Sequence, residues 1–136
     1  MAIDQPPAGD DPPEDPADLL PEDSILDLDE YLAMHAAVGN RTRYEICYRL
    51  VHSGEMSPTE LDEAMSVDDS TLHYHLNRLV DVGLIEKRQR TERGQDGLHT
   101  FYRATVFGEV VLTDGVDELL GGEHAFEGMY DSSADA

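Results

Sequence analysis

The 136-residue chain has one cysteine, one lysine and no hydrophobic run of membrane-spanning length. A lone Cys47 closes no internal disulfide, which suits a reducing cytoplasm and excludes a small disulfide-stapled fold. A bilayer span needs about eighteen or more consecutive apolar residues, and none occurs. The opening segment, MAIDQPPAGDDPPEDPADLLPED, lacks a basic n-region and an apolar h-region, so no secretory signal is expected. A serine–histidine–acid spacing, a phosphate-binding glycine loop and an HExxH motif are also missing. No catalytic residue is assigned, and the chain is not expected to be an enzyme.

Positive charge is scarce and confined. Thirty Asp and Glu face nine Lys and Arg, for a formal net charge of −21. All nine basic residues lie between Arg41 and Arg103, where eleven acidic residues nearly balance them. The other nineteen carboxylates sit on flanks that contain no lysine or arginine. Without residues 1–23 and 122–136, eighteen acids still face nine bases. An acidic body with a single lysine fits a halophilic protein kept soluble in molar salt better than a mesophilic domain with two acidic tails.

A length of 136 residues at 40% hydrophobic content allows one modest core. Residues 1–23 hold six of the seven prolines and eight acids and read as a disordered tail. Residues 24–121 carry the periodic segments, and 122–136 read as an acidic C-terminal tail. From Ser24, SILDLDEYLAMHAAVG places Ile25, Leu28, Leu32 and Val38 near a helical period and ends at Gly39. NRTRYEICYRLVHSG is a second helix with Asn40 as its cap and Ile46, Cys47, Leu50 and Val51 inside. In SPTELDEAM, Ser57 caps, Pro58 sits at the first helical position and Glu60 completes a capping box. DDSTLHYHLNRLVDVG is a fourth helix capped by Asp68 or Asp69. LIEKRQRT and LHTFYRAT then read as two strands around ERGQDG. VFGEVVLTDGVDELL is a last helix, weakened by Gly108 and Gly115. The order predicts a mainly α fold with a small β-hairpin wing: a winged helix-turn-helix.

The fourth helix, residues 69–82, has a buried stripe of Leu72, Leu76, Leu79 and Val80. Ser70, Thr71, His73, Tyr74 and Asn77 gather on or beside the opposite face, small and hydrogen-bonding toward the N-terminus. That is the character needed to read base edges in a major groove. Arg78, at the margin, and the wing residues Lys87, Arg88, Arg90 and Arg93 are expected to hold phosphates, within a wing spanning 85–103. The bland reading is an amphipathic helix followed by a solvated hairpin.

AVGNRTRYEICYRL, SPTELDEAM and STLHYHLNRLVDVGLIEKRQR together resemble the ArsR-type winged helix-turn-helix transcription regulators. Thr42-Arg43, Ser70-Thr71-Leu72 with His75-Leu76 and Leu79, and Val82-Gly83-Leu84-Ile85 carry the resemblance, over about residues 28–120. It implies double-stranded DNA as partner, with Ser70, Thr71, His73 and Tyr74 toward the groove. It also implies a homodimer through the first and last helices. No signal or small-molecule effector is implied.

Metal sensors of this type use cysteine pairs, or Asp and His on the last helix. Here Cys47 is alone, and Asp114, Asp117 and Glu118 lack a histidine beside them, with His124 further on in the tail. No metal and no cofactor is therefore expected. His73 and His75 face different ways on a helix, and His75 is expected to pack in the core. The competing reading is a protein-interaction module or a DNA mimic, for which basic residues concentrated on the wing would have no use.

Overall fold

Each main helix begins where a short polar side chain can turn back onto the backbone. The computed structural model describes residues 11–91, 94 and 97–122. Helix α1, Leu28–Val38, opens with Asp27 accepting from the Glu30 N–H at 2.8 Å while Glu30 accepts from the Asp27 N–H at 2.9 Å. Asn40 accepts from the Arg43 N–H at the start of α2, Arg41–Ser53. Ser57 and Glu60 form the expected capping box on α3, Pro58–Ala64. Asp68 caps α4, Asp69–Val82. Such caps satisfy backbone donors that the helix itself leaves open, for about 1 kcal/mol each. Gly83, in the left-handed region at φ 86°, ends α4 where a side chain would be strained.

Strands β1, Ile85–Thr91, and β2, Leu98–Ala104, pair antiparallel, with Ile85 opposite Ala104 and Thr91 opposite Leu98. Met56, between α2 and α3, adds a backbone bridge to the far edge of β2. Its N–H donates to the Tyr102 carbonyl at 3.0 Å and its carbonyl accepts from the Tyr102 N–H at 2.8 Å. The core gathers Met34 and Ala37 from α1, Ile46, Cys47 and Leu50 from α2, and Leu61 from α3. Leu72, Leu76 and Leu79 of α4 meet them, and Ile85 and Tyr102 close the base of the wing. The mainly α fold with a hairpin wing agrees with the sequence reading.

The last helix is continuous but not uniform. Helix α5, Val106–Val111, passes through a π-helical turn, Leu112–Asp117, into α6, Glu118–Gly121. Within it, the Thr113 hydroxyl donates back to the Glu109 carbonyl, a bond that bends helices. Gly108, read from sequence as a weak point, is a contact point. It lies so close to the Leu84 backbone that a Cβ would drive into the Leu84 carbonyl oxygen. Thr105 fixes that approach. Its N–H donates to the Leu84 carbonyl at 3.0 Å, and its hydroxyl donates to the Gly83 carbonyl at 2.6 Å and accepts from the Gly108 N–H at 3.1 Å.

Two expectations from periodicity do not hold. Ile25 precedes α1 and is 79% exposed, and Leu32 is 53% exposed; α1 turns Met34 and Ala37 inward beside Val38, which is buried as expected. Residues 16–19, within the stretch read as disordered, form one 3-10 turn capped by Asp15. The C-terminal residues Phe126, Met129 and Tyr130 lie outside the described residues.

Gly108→Ala is expected to lower stability by about 1–3 kcal/mol, the range for forcing extra volume into a close-packed site. Urea denaturation checks it, and an unchanged midpoint would show that α5 slides freely over Leu84.

Candidate nucleic-acid interface

The outer face of α4 is built from its cap. Asp68 accepts from the Ser70 hydroxyl at 2.6 Å, from the Thr71 hydroxyl at 2.6 Å and from the Thr71 N–H at 3.2 Å. Those bonds, the Ser70 hydroxyl first, hold the Asp68 carboxyl down at about 2. The protons of both hydroxyls are thus directed at Asp68, and their lone pairs are left for a ligand. One turn on, His73 Nε2 lies 3.5 Å from Asp69 Oδ1. Tyr74 is 57% exposed, with its ring edge-on to His75 at 5.1 Å. Asn77 and Arg78 are exposed one turn later. Ser70, Thr71, His73, Tyr74 and Asn77 therefore share one side of the helix. Asp69, which the sequence reading offered only as an alternative cap, stands exposed among them at the first helical position.

The opposite face of α4 is anchored by a polar contact as well as by leucines. His75 is buried, and its Nδ1 lies 3.0 Å from Arg43 Nη1. Arg43 also donates through Nε to the Ala37 carbonyl at 2.7 Å. Burial, then the Arg43 charge, pushes the His75 pKa below its ordinary 6.5. The ring is therefore neutral near pH 7, with Nδ1 accepting from the guanidinium and the proton on Nε2. Sequence periodicity placed His75 inward; its partner, 32 positions earlier, left no local signal.

The wing separates its basic residues onto two faces. Side chains alternate along a strand, so Glu86, Arg88 and Arg90 share a face with His99, Phe101 and Arg103 across the ladder. Lys87 lies on the other face, opposite Tyr102. Arg90 reaches over the Phe101 ring, 4.0 Å from its centroid, to an ion pair with Glu55. Glu86 receives both Arg103 and Arg88, the latter at 3.1 Å, which together hold its carboxyl below the usual range. Arg88 and Arg90 are thus exposed but carboxylate-bound, whereas Lys87 and Arg78 make no ion pair among the described residues. Arg93 lies outside the described residues. The Arg90–Glu55 and Arg103–Glu86 pairs join residues distant in the chain and left no local signal. The Arg88–Glu86 pair, two positions apart on one strand, was local and was not read.

Among the described residues, no three His, Cys, Asp or Glu side chains gather as a metal site. Cys47 is fully buried, and burial pushes its thiol up to about 12, away from the thiolate that binds soft metals. No helix among the described residues is long and apolar enough to cross a membrane.

Residues 38–88 match a family described as a helix-turn-helix domain. A protein named as an arsenical resistance operon repressor of Halobacterium salinarum is 30% identical over 91 residues, 66% of this chain and 71% of that one. The chain belongs to the ArsR-type winged helix-turn-helix transcription regulators. An arsenical resistance operon repressor of Bacillus subtilis is 35% identical over 63 residues, 46% of this chain and 60% of its own length. Among solved structures, a homodimeric winged helix-turn-helix DNA-binding domain from Mycobacterium bovis superposes with a TM-score of 0.55 at 24% identity. The match covers 74% of this chain and 84% of that one. As an ArsR-type regulator the protein is a DNA-binding regulator rather than an enzyme, and the fold neighbour has the same helix-turn-helix and hairpin architecture.

The His75 contact gives this regulator a pH signature. A folded-state pKa below the ordinary value gives stability that is full above about pH 6.5 and lost as pH falls toward the depressed value. His75→Gln keeps an acceptor for Arg43 but cannot titrate. The stability of the natural protein should therefore fall more steeply between pH 7 and 5 than that of the variant, by up to about 1.4 kcal/mol per pH unit. Denaturant titrations at several pH values test this, and parallel curves would refute it.

Proposed function

We propose that this ArsR-type regulator reads a two-fold symmetric DNA site as a cytoplasmic homodimer in a salt-tolerant cell. Residues 24–121 form the binding domain between acidic tails at 1–23 and 122–136. Helix α4 enters the major groove, with Ser70, Thr71, His73, Tyr74 and Asn77 toward the bases. Arg78 and the wing residues Lys87, Arg88, Arg90 and Arg93 meet phosphates. The observation that carries this reading is the side of α4 left exposed by a core that buries its leucines. That side has a small, hydrogen-bonding first turn and two aromatic rings.

The chemistry of that turn suggests a preference. With the Ser70 and Thr71 hydroxyl protons directed at Asp68 and Asp69 beside them, the first turn presents acceptors. Acceptors suit the amino groups of adenine and cytosine, not the N7 and O6 edge of guanine. Dimerisation is supported by apolar residues left outside the core: Leu32 on α1, and Val106, Val110, Leu119 and Leu120 on the last helix, all about half exposed or more. The Mycobacterium bovis fold neighbour is described as homodimeric.

Carboxylates on Arg88 and Arg90 reduce the attraction to any polyanion, which fits binding in molar salt, where counterion release contributes little. Thirty acidic residues against one lysine fit the same environment.

Fluorescence anisotropy from low to molar KCl tests the reading, with duplex from upstream of the protein's own gene against random duplex. Preferential binding that survives high salt is expected. No preference at any salt would leave the protein-interaction reading. Tyr74→Ala should change sequence preference, by about 1–3 kcal/mol at the contacted pair. Arg78→Ala should weaken all duplexes alike and lower the salt slope by about 1. Equal losses on every duplex for both variants would overturn the division between base and phosphate contacts.

A further inference from the structure

We infer that the groove between α2 and the last helix binds a flat apolar anion, an aromatic carboxylate or sulfonate, and that this ligand is the regulator's effector. The groove encloses about 600 Å³, within the usual range for small-molecule sites. One wall is aromatic: Tyr44 and Tyr48, a turn apart on α2, stack with ring centroids 6.3 Å apart and planes at 30°. Val38 and Val116 add apolar surface. Tyr48 is 45% exposed, its ring resting between Tyr44 and His52, the latter 4.4 Å away.

Charge selects the ligand. The groove is lined by Arg41, Arg49 and Glu45, a net positive set in a chain of net charge −21. Glu45 is committed to Arg49 at 2.8 Å. The nearby Asp117 accepts from the Tyr44 hydroxyl at 2.8 Å. Arg41, exposed in the first turn of α2, makes no ion pair among the described residues. An entering anion therefore meets a guanidinium beside a helix N-terminus. Of the acids, Glu45 in the lining is paired with Arg49, and Asp117, outside the lining, is held by the Tyr44 hydroxyl. A second apolar groove, of about 510 Å³ between α1, α4 and α5, has the opposite character: Glu30 and Asp81 line it and no basic residue does. The flat wall and the cationic mouth coincide in the first groove.

The site also touches what holds the recognition helix. Val38, Gly39 and Asn40 form its floor at the α1–α2 corner. Arg43, in the same corner, grips the Ala37 carbonyl and His75 of α4. A ligand that shifts this corner alters the seating of α4, and this coupling rests on the DNA-reading function proposed above. Binding of the ligand does not.

The probe is 1-anilinonaphthalene-8-sulfonate, a flat aromatic anion that fluoresces on leaving water, titrated into the full-length protein with and without duplex. Saturable binding near one per protomer is expected, with sodium benzoate competing. Tyr48→Ala should weaken it about tenfold and Arg41→Gln severalfold. Asp81→Asn, on the rim of the second groove, should leave it unchanged. Urea midpoints and sedimentation of each variant establish that fold and oligomeric state are retained. Dye binding that is absent, or equal in all variants, overturns the site. So does a Tyr48→Ala protein that falls from dimer to monomer without changing the dye titration, because the groove then belongs to the second copy. DNA binding without dye binding overturns this inference alone; the expected dye pattern without DNA binding overturns the proposed function and leaves the site standing.

Discussion

The guanidinium of Arg43 organises the interior. From the first turn of α2 it donates to the last turn of α1 at Ala37 and to His75 on the inner face of α4. Three helices are therefore held by one planar donor that cannot lose its proton. Burial and then that contact keep His75 neutral, since a protonated ring would lose solvent and set a second positive charge against Arg43 inside the fold. The orientation of α4, and so of its exposed side, depends on an acceptor being kept where a charge would be unfavourable.

The parts of this fold that could be read in the sequence are those whose partners are near in the chain. The caps at Asn40, Ser57 and Asp68 involve residues three positions apart; the first two were legible, and the third was narrowed to Asp68 or Asp69. The leucine stripe of α4 obeys a single period and was legible too. Ile25 and Leu32 were misread because periodicity finds an apolar stripe without saying whether the same chain covers it. Gly108 was misread for a related reason: a glycine that weakens a helix and one that permits a close approach look alike until Leu84 is placed against it. The pairs of Arg43 with His75 and of Arg90 with Glu55 join residues more than thirty positions apart. Nothing local announces them.

Carboxylate partners, one near in the chain and one distant, change the meaning of the basic wing. Counted along the chain, Lys87, Arg88 and Arg90 form a patch of one sign. Folded, Glu86 and Glu55 neutralise the two arginines, and alternation turns Lys87 to the other face. The wing is a set of exposed ion pairs, each of small net worth in water and weaker in concentrated salt. Any further anion must compete with the carboxylates already bound to Arg88 and Arg90.

The bridge between Met56 and Tyr102 decides which side of the hairpin stays open. It occupies the outer edge of β2, so the unpaired edge among the described residues is β1. That strand carries Glu86, Lys87, Arg88 and Arg90 along its length. An edge crowded with charge resists adding a strand from another chain, which would have to bury or displace it. Concentrated salt weakens repulsion between copies and favours association of flat surfaces, so a hairpin bearing alternating apolar residues on its open edge would be a seed for aggregation. In this protein the charge along β1 works against such edge-to-edge pairing.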